Sequence, residues 1–236
     1  NQTHIVYDYT PNRSREGPKA FLRGYRGYLQ ADAYAGYNEL LGKEKATLVG
    51  CWAHARRKFV EAEDSDPLRA HTALAFIKEL YRIEKEWRKV DAETRAAVRQ
   101  AEALPLLKKF ETWLREQSGR VLPKSPMGEA IGYALNQWES LVVYTQDGDL
   151  DPDNNSSERA MRHVVVGRNN WKFAGSDSGG KRAAIVYSLV ATCKIHGIDP
   201  FAYFRDVLER LPSHPIHQIQ DLLPHNWKKT LASSTD

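Results

Sequence analysis

Along the chain the spacing of apolar and polar residues changes character more than once. In THIVYDYT, residues 3–10, Ile5, Tyr7 and Tyr9 alternate with Val6, Asp8 and Thr10, a period of two that predicts a strand. PNRSREGPKA then breaks the pattern. GYLQAD predicts a short strand ending at Asp32, AYAGYNELL a helix, ATLVGCW a strand apolar on both faces, and AHARRKFVEAE a further helix. Strands separated by short helices, with an apolar central strand, predict an α/β sheet flanked by helices in which the last two strands run parallel.

Beyond Glu63 the period becomes helical and stays so to Thr145. Phe76, Leu80, Ile83 and Trp87 recur at i, i+4, i+7 and i+11, as do Ile131, Leu135, Trp138 and Val142, and Leu106, Phe110 and Trp113 form a third stripe. These stripes predict an all-helical segment packed around Trp87, Trp113 and Trp138, with its charged residues solvated. Next, DNNSSERAMR opens a helix, GRNNWKFAGSDSGG reads as a glycine-punctuated loop, and Lys181 to His196 as an apolar helix closed by Gly197. Asp199 caps and Pro200 opens another helix, FAYFRDVLERL, before a Ser-rich end expected to fray. The expected organisation is a core begun by residues 1–62, a helical insertion at 63–145, the rest of the core at 146–212, and a tail at 213–236.

Composition adds limits. With 42% hydrophobic and 27% charged residues in 236, the chain has the profile of a globular protein and not of a disordered one. The apolar run Ala183 to Cys193 is shorter than the roughly 20 residues needed to cross a bilayer, so no membrane role is expected. Two cysteines and a start without a signal-like pattern predict a cytoplasmic setting, and the missing initiator Met suggests a piece of something longer. A net charge of +4 is only mildly basic, so any nucleic-acid role must come from where the cations cluster.

They cluster around one acid. Between Asn154 and Arg182 lie Arg159, Arg162, Arg168, Lys172, Lys181 and Arg182 against Glu158 and Asp177, with Trp171 and Phe173 interleaved, a mixture suited to phosphates and stacked bases. HARRKF offers a second basic patch. Glu158 itself has two readings. With Asn155 as N-cap it completes a capping box and meets Arg162 one turn on. Alternatively it pairs with Asp32, a carboxylate at the carboxyl end of a parallel strand, where open α/β folds place their chemistry. Two such acids supply the hard oxygens that magnesium requires, and paired ions about 4 Å apart activate water and stabilise a leaving oxygen at a phosphodiester.

Two other patterns are weaker. GSDSGGK, Gly175 to Lys181, begins like a phosphate-binding loop but continues with Arg182 where that loop needs Ser or Thr, so no nucleotide cofactor is expected. Cys51 with His54 and Cys193 with His196 form two C-x-x-H pairs, formally a zinc set, yet both lie in apolar segments where buried thiols and helix-face histidines are the simpler expectation.

Taken together, YLQADAYAGYNEL, CWAHARRKF, DNNSSERAMR, GRNNWKFAGSDSGG and DPFAYFRDVLERLP resemble the transposases of bacterial insertion-sequence family 66, in order and over nearly the whole chain. The resemblance implies a ribonuclease-H-like catalytic core of the DDE type: a mixed sheet flanked by helices, here incomplete at its N-terminus, with a helical insertion between the second and third acids. By motif Asp32 takes the second acidic place and Glu158 the third. The first belongs upstream of THIVYDYT, and Asp8 lies in what resembles a later strand. The resemblance further implies two Mg2+ (or Mn2+) ions in the intact enzyme and metal-dependent DNA cleavage and strand transfer. It also implies homo-oligomers on transposon-end and target DNA, and a fragment inactive alone. Arg159, Arg162, Arg168, Lys172, Lys181, Arg182 and Trp171 would contact DNA. The competing expectation is a catalytically dead DNA-binding or assembly module in which Glu158 only caps its helix.

Overall fold

Two four-residue strands, Gly27–Gln30 (β1) and Ala46–Val49 (β2), pair in parallel with Gly27 opposite Ala46 and Gln30 opposite Val49. A computed structural model describes residues 4–12, 14–32, 34–41, 45–171 and 175–227. Among them these strands form the one sheet, and the rest of the regular structure is helical. The chain divides into two units, one of residues 14–156 and one of residues 1–13 with 157–236.

In the unit of residues 14–156, Glu16–Phe21 (α1) precedes β1, and a 3-10 helix, Ala35–Leu40, links β1 to β2. An α-helix was the expectation there. Six residues that include Gly36 and Asn38 have poor helix propensity, and the turn tightens to an i+3 bond from the Tyr37 N–H to the Tyr34 carbonyl. The chain then runs through Trp52–Glu61 (α2), Pro67–Glu86 (α3), Ala92–Val98 (α4), Leu104–Ser118 (α5), Pro126–Asn136 (α6) and Trp138–Val142 (α7). Asp66, Asp91 and Ser125 cap α3, α4 and α6 by accepting backbone N–H bonds, and Pro67 and Pro126 occupy first-turn positions that need no donor. Pro105 has no N–H to return to the preceding turn, and the helix widens into a π turn, Arg99–Ala103, just before it.

The core of this unit centres on Phe110. Its ring lies 4.8 Å from Phe76 and about 6 Å from Trp52, Trp113 and Trp138. Of the three tryptophans expected at the centre, Trp138 is buried, whereas Trp87 and Trp113 are only partly buried against the cluster. Trp52, the first residue of α2, takes the central place instead and donates its indole N–H to the Leu141 carbonyl at 2.9 Å. Val49, Trp52, Ala55 and Phe59 thus share one core with α3, α5 and α6.

In the other unit the segment 4–10 is not a strand. Its alternation holds, with Ile5, Tyr7 and Tyr9 half-buried and their neighbours exposed, but its backbone pairs with side chains. The N–H groups of Ile5 and Tyr7 donate to Thr192 Oγ1 (3.2 Å) and Ser188 Oγ (2.8 Å); the Thr192 hydroxyl donates back to the Ile5 carbonyl, and that of Ser188 to the Ala184 carbonyl of its own helix. Four helical residues rise about 6 Å and two extended residues about 6.6 Å, so hydroxyls one turn apart match every second residue of the segment.

The helices of this unit are Asn155–Trp171 (α8, whose first two residues belong to the other unit), Asp177–Ile195 (α9) and Pro200–Arg210 (α10). Gly167 to Trp171 remain helical, where a loop was expected. One internal glycine costs only about 1 kcal/mol. At the other side Ser176 caps α9 by accepting the Gly179 N–H at 3.1 Å, which starts that helix four residues earlier than expected. Gly197, at φ +66°, ends it: the Ile198 and Gly197 N–H groups donate to the Cys193 and Lys194 carbonyls. Asp199 and Pro200 open α10 as expected. A small core gathers Cys193, Ile198, Tyr203, Val207, Leu222 and Trp227.

Candidate active site

Within the unit of residues 14–156, the carboxyl edge of β1 organises the candidate chemistry. Asp32 lies two residues beyond the strand, exposed, and its Oδ1 accepts the Tyr34 N–H at 3.3 Å. Its charge is felt by two phenols. Burial first, and Asp32 second, raises the Tyr37 pKa, while burial, Cys51 and then Asp32 raise that of Tyr133.

Gln30, the last residue of β1, donates its amide N–H groups to the Asp151 and Asp153 carbonyls, at 2.5 and 2.9 Å. The Trp52 N–H takes the Pro152 carbonyl at 3.0 Å, and Cys51 Sγ accepts the Asn154 N–H at 3.5 Å. Asp153 closes the arrangement: Oδ2 accepts the Tyr81 hydroxyl at 2.8 Å and Oδ1 the Asn155 N–H at 3.1 Å. The segment Asp151 to Asn155 is therefore fastened to the end of β1, the start of α2 and the side of α3. Asn155, expected as an N-cap, is the first residue of α8. Burial raises the Tyr81 pKa most, with Asp153 adding to it, and burial likewise raises that of Cys51 despite the N–H bonds to its sulfur. Gln30, Tyr81 and Asp153 escaped the sequence reading. Only the Asp-Pro-Asp preceding the two asparagines hinted at them.

In the other unit Glu158, Arg159 and Arg162 are exposed in the first two turns of α8. Lys181 and Arg182 are exposed near the start of α9, with Arg182 Nη2 3.5 Å from Ser178 Oγ. Arg168 and Trp171 lie in the last turns of α8; their side chains, and Lys172 altogether, fall outside the described residues. The GSDSGGK stretch forms the cap and first turns of α9, with the Gly179 and Gly180 N–H groups donating to the Ser176 hydroxyl and carbonyl.

Asp32 and Glu158 belong to different units, as do the two C-x-x-H pairs. Among the described residues no three His, Cys, Asp or Glu side chains gather into a metal-sized group. Asp32 is nevertheless the kind of donor that fits magnesium, an exposed carboxylate engaged by one backbone N–H, and such an ion keeps several waters and asks for only one or two protein carboxylates.

Residues 1–182 match the family model described as Transposase IS66 family, and residues 188–225 match that of the IS66 C-terminal element. The chain belongs to the IS66 transposase family. Similar proteins include uncharacterized protein y4hP of Sinorhizobium fredii, 37% identical over 247 residues that cover 97% of this chain and 45% of y4hP. Uncharacterized protein y4qI of the same organism is 37% identical over 234 residues, 95% of this chain and 43% of its own length. The chain thus spans less than half of these relatives. No solved structure matches it. In this IS66 chain the first matched segment takes in both Asp32 and Glu158, and the second begins at Ser188, whose hydroxyl bonds Tyr7 of the first.

Proposed function

We propose that this chain is the C-terminal part of a DDE transposase. Residues 1–62 and 146–212 contribute to a ribonuclease-H-like core that in the whole protein holds a larger mixed sheet, and residues 63–145 are the insertion between its second and third acids. Asp32 and Glu158, with a third carboxylate from elsewhere in the full-length protein, hold Mg2+ or Mn2+. When bound, the metal supplies Lewis-acid polarisation of phosphate and water. The observation that carries this reading is the bonding of Gln30, at the end of the strand that leads to Asp32, to the Asp151 and Asp153 carbonyls of the segment that opens the Glu158 helix.

The chain's own residues position and neutralise. Arg159, Arg162 and Arg168 on α8, with Lys172, Lys181 and Arg182 beyond it, offset phosphate charge, and Trp171 stacks on an unpaired base. The reaction is two phosphoryl transfers. Water displaces the 3′ oxygen at a transposon end, and the freed 3′ hydroxyl then displaces an oxygen of a target phosphodiester. The partners are transposon-end and target DNA and further copies of the protein, in the cytoplasm, and this part acts only within the complete enzyme.

The test uses the full-length protein with a supercoiled donor plasmid and Mg2+. Asp32→Asn and Glu158→Gln should each abolish nicking and strand transfer while circular dichroism and the melting curve stay unchanged. Full activity of either variant overturns the assignment. DNA binding without metal-dependent cleavage by the unaltered protein leaves the dead-module reading in its place.

A further inference from the structure

α2 and α3, joined by the short turn at residues 62–66, pack as a helical hairpin with a groove of about 740 Å³ along one side. Apolar residues Ala53, Val60, Leu74 and Ala75 line it together with Arg56, Arg57 and Lys78. Tyr81 and Asn155 lie at the end near the start of α2, and His71 at the other.

The state of these cations is the telling feature. In the same unit Arg69 pairs with Asp66, Arg82 with Glu79 and Glu86, Arg99 with Glu84, and Arg115 with Glu111. Arg56, Arg57 and Lys78 are exposed and have no carboxylate within ion-pair distance among the described residues. The neighbouring acids are already engaged. Glu63 bonds His71 at 2.8 Å, Asp153 accepts from Tyr81, Glu61 meets Lys58, and Glu79 faces Arg82. Three like charges facing one apolar-floored groove repel one another, and an anion supplied from outside would relieve that repulsion.

We propose that the α2–α3 groove binds the sugar–phosphate backbone of one DNA strand, with Arg56, Arg57 and Lys78 on successive phosphates. A groove of about 740 Å³, the size of a small-molecule pocket, holds a few nucleotides of one strand and not a duplex. From His71 to Lys78 is about 10 Å of helix, the axial length of about three phosphates of one strand. The strand would run toward Asn155, the first residue of α8, because Tyr81 at that end holds Asp153. This inference rests on the transposase reading for the identity of the polymer, but it concerns binding and not cleavage.

The experiment titrates the 236-residue chain against a fluorescein-labelled 20-nucleotide single strand by anisotropy between 50 and 200 mM salt. The triple variant Arg56→Gln, Arg57→Gln, Lys78→Gln should flatten the slope of log K against log salt by about 2, so its affinity deficit shrinks about 20-fold across that range. Arg56→Lys with Arg57→Lys should keep the slope, and a melting curve checks that the triple variant folds. A triple variant with unchanged affinity and slope overturns the proposal. So does binding of poly-glutamate as tightly as DNA, which would make the groove a peptide site. Asp32→Asn and Glu158→Gln leave the slope untouched whether or not they abolish cleavage, so failure here and failure of the catalytic reading are separable.

Discussion

Removing Arg99 should cost more than any single exposed cation. The residue is 1% exposed in the π turn, and all five of its N–H donors are used. Nε and Nη2 donate to Glu84 at 2.8 and 2.6 Å, Nη1 to the Tyr144 and Asp147 carbonyls at 2.9 and 2.8 Å, and Nη2 also to the Leu150 carbonyl at 2.9 Å. Its guanidinium lies 5.1 Å from the centre of the Tyr144 ring. One side chain thus joins α3 to the chain just before Asp151 to Asn155, the segment that Gln30 holds. Arg99→Met leaves Glu84, whose side chain is only 13% exposed, as an unpaired charge, at about 3–5 kcal/mol. Each carbonyl stripped of its donor adds about 1 kcal/mol. Set against a total stability of about 5–15 kcal/mol, that threatens the unit itself. Arg99→Lys is the measurable variant: it keeps the charge but offers three donors from one nitrogen, for an expected loss of about 2–3 kcal/mol. Urea denaturation followed by circular dichroism gives both values, and Glu84→Leu added to Arg99→Met should recover about 2 kcal/mol by removing the stranded charge. An Arg99→Lys protein within about 0.5 kcal/mol of the parent, a surface-like value, would refute the reasoning.

Other outcomes follow from the second unit. A Cβ on Gly180 would meet the Tyr9 ring at 2.5 Å, so Gly180→Ala should lower the melting temperature although alanine favours helices by about 1 kcal/mol. Limited proteolysis should then cut within residues 4–12, and a gain in stability would contradict the packing. Burial works against the charge of Asp206, but bonds from the Trp227 indole and Arg210 outweigh it and hold the carboxyl below its ordinary pKa. A depressed pKa contributes stability above the ordinary carboxylate value of about 4 and loses it as pH falls through the folded value. The melting temperature should therefore drop more steeply between pH 5 and 2 in the parent than in Asp206→Asn, and parallel curves would count against it. Burial pushes the Cys193 thiol up to about 11 and raises that of Cys51, so a disulfide reagent at pH 8 should label neither until urea unfolds the chain.

What could be read from the sequence was local or periodic. β1 and β2, their parallel pairing, and the Asp199–Pro200 start of α10 rest on chemistry confined to a few adjacent residues. The alternation at residues 4–10 told which side chains face inward but not what takes the backbone, because hydroxyls on a helix 180 residues away leave no mark on the segment. The glycines near Trp171 misled for a different reason: Gly167, Gly179 and Gly180 lie inside helices whose packing and caps outweigh their weak propensity. Apolar stripes assigned Phe110 to a core without marking it as the centre, since a period gives a face and not a depth. Asp32 and Glu158 stood out through their motifs. Gln30, Tyr81 and Asp153 did not, because each acts on a partner 72 or more positions away.

The pairing of Ile5 and Tyr7 with Thr192 and Ser188 sets an order of assembly during translation. Residues 14–156 are contiguous and can fold as soon as the ribosome releases them, whereas the segment before them must wait for a helix made some 180 residues later. At about 5–20 residues per second that delay is roughly 10–40 s. Closing so long a loop in an unfolded chain would cost about 4–5 kcal/mol. A middle that has already folded leaves fewer conformations to search, so a destabilised middle would slow the capture of the first dozen residues.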